Sequence, residues 1–191
     1  MQATRWQERL QKKREGKDTF FKDHPQSPIP PRDRPAFEGL RYYPLDRRFR
    51  FELDLHEHEE KEVVRVDTTH GGERDLLRWG EFRFEIEGES CTLQAYRTNP
   101  GTERLFIPFR DGTSGLETHT EGRYLDLEPQ IHRIEKGRWV LDFNEAYNPW
   151  CEYSGDYICP YAPTENALKP AVRVGERSFR GPEIRNPPQA S

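Results

Sequence analysis

The sequence predicts a mainly β protein, an antiparallel sandwich or partly closed barrel, with one α-helix at its N-terminus. Three observations predict it. The run Arg48-Phe-Arg-Phe-Glu-Leu-Asp-Leu-His56 alternates polar and apolar without a break, the period of a strand with one buried face. Glu81-Phe-Arg-Phe-Glu-Ile-Glu87 alternates in the same way, Glu87-Gly88-Glu89 turns, and residues 91–96 return, which is the pattern of a β-hairpin. Further short apolar runs follow between glycine and proline turns, while helical spacing is confined to the start of the chain.

In chain order, residues 4–22 carry Trp6, Leu10, Phe20 and Phe21 among strong helix formers, with Gly16 as the weak point, and predict an amphipathic helix that docks by its aromatics. Its basic cluster Lys12, Lys13, Arg14 and Lys17 is interleaved with Glu8, Glu15 and Asp18, and reads as a solvated face rather than a phosphate-binding one. Residues 24–35 form a proline-rich strap without a regular element. After the strand ending at His56, residues 63–68 predict a second strand, 69–74 a turn and 76–79 a third strand ahead of the hairpin. Leu105-Phe-Ile-Pro-Phe109 is apolar on both faces, a deeply buried strand whose Pro108 marks an edge or a bulge. Asp111-Gly-Thr-Ser-Gly115 turns the chain, residues 123–127 and 138–143 are strands separated by a turn at Glu135-Lys136-Gly137, and 171–174 predict a last strand. The organisation is then a helix and strap over 1–36, a β-rich domain over 37–177 and a disordered tail over 178–191.

A chain of 191 residues accommodates one substantial core. With 32% hydrophobic and 34% charged residues, that core draws much of its area from the aromatic 12%. The net charge of -4 comes from 34 acidic and 30 basic residues that are interspersed, so charge points to no nucleic-acid partner. No stretch has the apolar length of a membrane span, and the N-terminus lacks the apolar centre of an export signal. Three cysteines, an odd number, fit a reducing compartment better than a disulfide framework, which makes the cytoplasm the expected location.

Chemistry concentrates in Asp142-Phe-Asn-Glu-Ala-Tyr-Asn-Pro-Trp-Cys151 and the following Glu-Tyr-Ser-Gly-Asp-Tyr-Ile-Cys159-Pro160, a loop dense in carboxylates, amides, phenols and thiols. Asp142 and Asn144 share one strand face, Asn148 before Pro149 can close an Asx turn, and Tyr147 and Tyr153 can bury a ring while offering a hydroxyl. Such a loop can cap one end of the fold, or it can line a pocket to which Arg110, Asp111 and Arg123 contribute from neighbouring strand ends. Cys151 with His119 or His132 as base and Asp142 as orienter satisfies the residue types of a thiol hydrolase. The spacing of Cys151 and Cys159 matches no zinc-ribbon or thioredoxin pattern, and a structural metal would need Cys91 and His119 or His132 as well, so no metal site is assigned. His56-x-His58 reads as a solvated strand end, and the Asp111–Gly115 turn lacks a Walker lysine. No motif specifies a cofactor.

Ser27-Pro28, Phe37-Glu-Gly-Leu40, residues 93–96, the run from Leu105 to Gly115, Gly122-Arg-Tyr-Leu-Asp-Leu127, the block from Asp142 to Cys151, Cys159-Pro160, Asn166 and Gly175-Glu176 occur in an order that resembles the family called domain of unknown function 1684, found in bacteria and archaea. The resemblance runs from about Trp6 to Arg177 and implies that both cysteines and the Asn-Pro turn belong to the family's pattern. Some similar proteins look exported as lipoproteins. This chain has His119 after Thr118 where they tend to have tyrosine, and Glu121 where they tend to have glycine.

Three functions are consistent with these residues. A small-molecule-binding β-domain is favoured, with a pocket lined by Trp139, Tyr147, Tyr153 and Arg123. The alternatives are a thiol- or metal-dependent enzyme using Cys151 and Cys159, and an interaction module that presents Trp6, Phe20 and Phe21.

Overall fold

The computed structural model describes residues 4–135 and 137–179. The tail expected over 178–191 therefore lies, from 180 onward, outside the described residues, as does Lys136 in the expected turn. Helix α1 (Arg5–Asp23) begins at a capping box: Thr4 Oγ1 accepts the Gln7 N–H, and Gln7 Oε1 accepts the Thr4 N–H at 2.8 Å, which satisfies two amides left over by the first turn. It ends at extended His24, because Pro25 disfavours helical geometry in the residue before it. One face of α1 docks on the β domain. Leu10 and Phe21 are buried, Trp6 Nε1 donates to Asp142, Arg9 and Lys13 pair with Glu145, and Lys17 pairs with Glu176. The strap follows, closing Ile29 and Phe37 over Phe21 and Tyr153 in a small cluster of its own.

Among the described residues, eight strands form two antiparallel sheets. The smaller has the order β1 (Arg50–Asp54), β8 (Arg138–Asp142), β7 (Arg133–Glu135). The larger runs β2 (His56–Asp67), β3 (Glu73–Ile86), β4 (Glu89–Arg97), β5 (Leu105–Phe109), β6 (Arg123–Leu127), and a short helix α2 (Pro129–His132) leads from β6 to β7. The sheets do not close into a barrel, so the fold is the sandwich of the two alternatives. Only Leu55 separates β1 from β2, and this single run of chain passes from one sheet to the other. Alternating residues of the larger sheet, Phe82, Leu93, Ile107 and Leu125, pack against Phe49, Trp139, Leu141 and Phe143 to form the core.

The β3–β4 hairpin forms as the alternation predicts. Ile86 pairs with Glu89, and Glu87 (φ 52°) and Gly88 (φ 82°) give the left-handed pair of a tight I′-type turn. Two differences concern strand length. The expected strand at 63–68 is the far end of β2 and that at 76–79 lies inside β3, because the charged stretch before Val63 joins the sheet through His56 and Glu57, opposite Glu81 and Gly80, and Glu62, opposite Arg78, and β3 runs on into the hairpin. A bulge between Glu57 and Glu62 absorbs the mismatch beside Gly80, where a Cβ would stand 2.6 Å from the His56 carbonyl oxygen.

Two side chains take the place of missing strand pairing. Between β4 and β5 the ladder is reduced to Tyr96 opposite Phe106, and Asn166, fully buried, fills the gap beside Pro108. Its amide accepts the Gln94 N–H at 2.7 Å and donates to the carbonyls of Gln94 and Pro108 at 2.9 and 2.8 Å. Residues 171–174 do not form the expected strand. Val172 and Val174 are buried as a strand would bury them, but their carbonyls and that of Glu176 accept from the Arg123 guanidinium, with the Val172 bond at 2.8 Å. One fork of donors supplies what a neighbouring strand would otherwise provide.

Candidate functional site

The 147–161 loop is pinned at both ends of the larger sheet. At one foot, Tyr147 and Tyr124 of edge strand β6 exchange backbone hydrogen bonds of 2.9 and 3.0 Å. At the other, Pro160 lies opposite Thr68 just past edge strand β2: the Thr69 N–H reaches the Cys159 carbonyl at 3.1 Å and the Tyr161 N–H reaches Asp67 at 2.8 Å. Between its feet the loop arches over the outer face of the sheet. The space beneath is a cleft of about 290 Å³ with Leu76, Phe106 and Tyr124 as its floor and Tyr147, Trp150 and Tyr157 as its roof. Phe106 meets Tyr124 edge-on at 4.8 Å between centroids, and Tyr124 meets Tyr147 at 5.7 Å, so the aromatic walls are packed into fixed orientations.

The cleft's polar groups are few. The Tyr124 hydroxyl donates to the Pro160 carbonyl and the Tyr147 hydroxyl to Asp126 at 2.6 Å. Burial, and then the negative charge of Asp126, push the Tyr147 phenol well above its ordinary value. Arg104 at the rim pairs with Asp126 and Glu128, whereas Arg74 has no carboxylate partner among the described residues.

Cys159 lies in the wall of this cleft, and its sulfur accepts the Cys151 N–H at 3.4 Å. Cys151 opens on the far side, into a smaller cavity of about 200 Å³ shared with His119 and Glu152. Cys151 Sγ is 3.9 Å from His119 Nε2, and His119 Nδ1 is 2.6 Å from Glu152 Oε2. A carboxylate only accepts, so Nδ1 carries the proton of that bond. Burial works against the Glu152 charge, but hydrogen bonds from His119, the Phe179 N–H and Ser178 outweigh it and hold the carboxyl below the usual range. The Cys159 thiol is pulled down, first by its hydrogen bond with the Cys151 thiol and then, against the cost of burial, by the N–H groups of Cys151 and Trp150. The same contact pushes Cys151 up.

The remaining expected site residues are tied into the framework. Arg123 and Asp111 meet each other at 2.8 Å with side chains 0% and 1% exposed, and Asp111 also accepts from Thr113 and the Val172 N–H. They brace the core. Asp142 and Asn144 bond to each other at 2.9 Å, Asn144 also holds the Asp46 backbone, and Asp142 receives Trp6. Asp142 is thus tied to α1, and the carboxylate beside His119 is Glu152. Asn148 donates to the Arg177 carbonyl through its side chain and to Glu176 through its N–H. Tyr153, buried against Phe21, donates to Glu176 at 2.8 Å. Arg110 bonds through its backbone to Asn166 and Leu168. Of the four residues expected to line the pocket, Tyr147 does so, while Trp139 and Arg123 are buried in the core and Tyr153 in the strap cluster.

Sequence reasoning passed over Glu152, Glu176, Asn166 and Arg74. For Glu176 and Asn166 the segments shared with similar proteins were the available signal, whereas nothing in the local sequence distinguishes Glu152 or Arg74 from any surface charge. A further cavity of about 280 Å³ lies between α1 and β6, with Lys13, Lys17 and Glu145 in its walls and Tyr147 as a wall common to it and the cleft. Among the described residues, no three His, Cys, Asp or Glu side chains are gathered as a metal ion requires, and no helix is long and apolar enough to cross a membrane.

No curated protein matches the chain. Among solved structures it is similar to the solution NMR structure of an uncharacterized protein from Haloarcula marismortui, with 41% identity, a TM-score of 0.69, and coverage of 90% of this chain and 94% of that one. The family model described as protein of unknown function (DUF1684) matches residues 35–177, and the chain belongs to that family.

Proposed function

We propose that the cleft beneath the 147–161 arch binds a small molecule with a flat apolar body and an anionic group. The observation that carries this reading is a concave aromatic surface, held in place by hydrogen bonds at both feet of the arch, with Arg74 at its rim and no carboxylate paired to it among the described residues. The rings take the body of the ligand and Arg74 takes its charge. The interaction-module reading is weakened, because Trp6, Phe20 and Phe21 are docked against the domain instead of being presented.

A panel of aromatic carboxylates and phosphates, screened by thermal shift, tests the proposal, with Trp150 fluorescence as the second readout. Hits are expected to quench Trp150, and Arg74→Gln is expected to weaken them by roughly ten-fold or more, the worth of a charge-assisted hydrogen bond. A panel without hits, or hits indifferent to both Arg74→Gln and Tyr157→Ala, rules the cleft out as the site.

A further inference from the structure

We propose that Cys159 and Cys151 form a reversible dithiol–disulfide couple, in which Cys159 attacks a low-molecular-weight disulfide bearing a flat anionic arm and Cys151 resolves the adduct. The inference rests on the cleft as a ligand site and names a substrate class for it. Three features of the geometry carry it. The two sulfur-bearing residues sit side by side, since Cys159 Sγ accepts the Cys151 N–H. They open in opposite directions: Cys159 faces the aromatic cleft, and Cys151 faces the His119–Glu152 pair. A base also stands on one side only, with His119 Nε2 3.9 Å from Cys151 Sγ and its other nitrogen fixed by Glu152.

This asymmetry assigns the roles. Cys159 needs no base, because the Cys151 thiol and then the N–H groups of Cys151 and Trp150 favour its thiolate. Its sulfur attacks R–S–S–R, the S–S bond breaks, a Cys159–S–S–R bond forms, and RS⁻ leaves to take a proton from water. The Cys151 proton then passes to His119 Nε2, and the Cys151 thiolate attacks Cys159 Sγ. A Cys151–Cys159 disulfide forms, and the second RS⁻ leaves with the proton from His119. Two electrons have moved from the cysteine pair to R–S–S–R, which is reduced to two thiols, and excess RSH drives the sequence backwards. Cys91 takes no part, since it is buried in the core and burial pushes its thiol up.

The test uses reduced full-length protein and one molar equivalent of 5,5′-dithiobis(2-nitrobenzoate), an aromatic disulfide with carboxylates. Two equivalents of coloured thiolate are expected, with no retained adduct and a Cys151–Cys159 cross-link on peptide mapping. Cys151→Ser is expected to release one equivalent and keep the other on Cys159. His119→Ala is expected to slow the second release by roughly 100-fold, the worth of a general base, and to affect the first far less. Retained adducts without a cross-link in the wild-type protein, or equal labelling of Cys151 in Cys159→Ser, overturn the proposal. The Cys151→Ser/Cys159→Ser double variant separates this inference from the binding reading. If the wild-type protein fails to cross-link while the double variant still binds an aromatic carboxylate, the couple is refuted and the cleft stands; if there is neither cross-linking nor binding, both fall.

Discussion

Replacing Asn166 with alanine removes the one side chain that joins β4 to β5 beside Pro108. Three hydrogen bonds disappear together, and the Gln94 N–H, the Gln94 carbonyl and the Pro108 carbonyl lose a partner at a site the protein keeps fully buried. At about 1 kcal/mol net for each bond, the variant loses about 3 kcal/mol. For a chain of this size that corresponds to a fall of roughly 6–12 °C in Tm. Urea denaturation followed by circular dichroism is the assay, and the midpoint is expected to move with the slope unchanged. Asn166→Asp sharpens the test. The introduced carboxylate keeps the acceptor for the Gln94 N–H but turns the two donated bonds into oxygen facing oxygen, so at neutral pH it is expected to cost more than alanine. The introduced group has a folded pKa above its unfolded one, and its penalty shrinks as pH falls and a proton restores one donor. If Asn166→Ala costs less than about 1 kcal/mol, or Asn166→Asp is as stable as the wild-type protein at neutral pH, the side chain is not standing in for the ladder.

Three further outcomes follow from the same contacts. Gly16→Ala is expected to stabilise the protein by about 0.5–1 kcal/mol, since Gly16 lies within α1 and an added Cβ there meets nothing within 4 Å; calorimetry reads the gain. Glu145 is buried and faces Arg9, Lys13 and His132, and although burial raises its pKa, these partners hold the carboxyl far below its ordinary 4.5. Its stabilisation is therefore present above that value and lost as pH falls through and below it, so Glu145→Gln is expected to cost on the order of 2 kcal/mol at neutral pH and much less near pH 3, read from paired urea midpoints. Arg123→Lys keeps the charge but cannot reach Asp111 and three carbonyls with one nitrogen, and is expected to lose about 3–5 kcal/mol on chemical denaturation.

The elements legible in the sequence are those whose two faces meet different surroundings. Phe49, Phe51 and Leu53 alternate with arginine and acids because the sandwich buries one face of β1 and of the turn that leads into it, and the β3–β4 hairpin shows the same contrast closed by Gly88. The first half of β2 was silent because its side chains are polar at every position and show no alternation, while it meets its neighbours through a few backbone pairs and through contacts such as His58 with Gln94 and Lys61 with the Trp79 carbonyl. Residues 171–174 misled for the opposite reason: their valines are buried as in a strand, but their carbonyls turn to Arg123, a partner about fifty positions away that local pattern cannot reveal. The candidate loop was legible as a place and less so as an arrangement. Its density of polar groups marked Tyr147, Cys151 and Cys159. The pairing of Arg123 with Asp111, and of His119 with Glu152 and not Asp142, depends on how the strand ends converge.

The arch that forms the cleft also closes the margins of the larger sheet. Tyr147 occupies backbone groups of β6, and the stretch from Cys159 to Tyr161 occupies those at the end of β2, whose remaining length is guarded by Glu57, Glu59, Glu60 and Lys61. An unpaired margin recruits further strands from neighbouring molecules, and the arch covers part of each of these two. Changes that loosen the arch therefore reach colloidal behaviour as well as the cleft. A variant meant to probe ligand binding can come out of solution for reasons that have nothing to do with the ligand, and monodispersity belongs beside every measurement made on this loop.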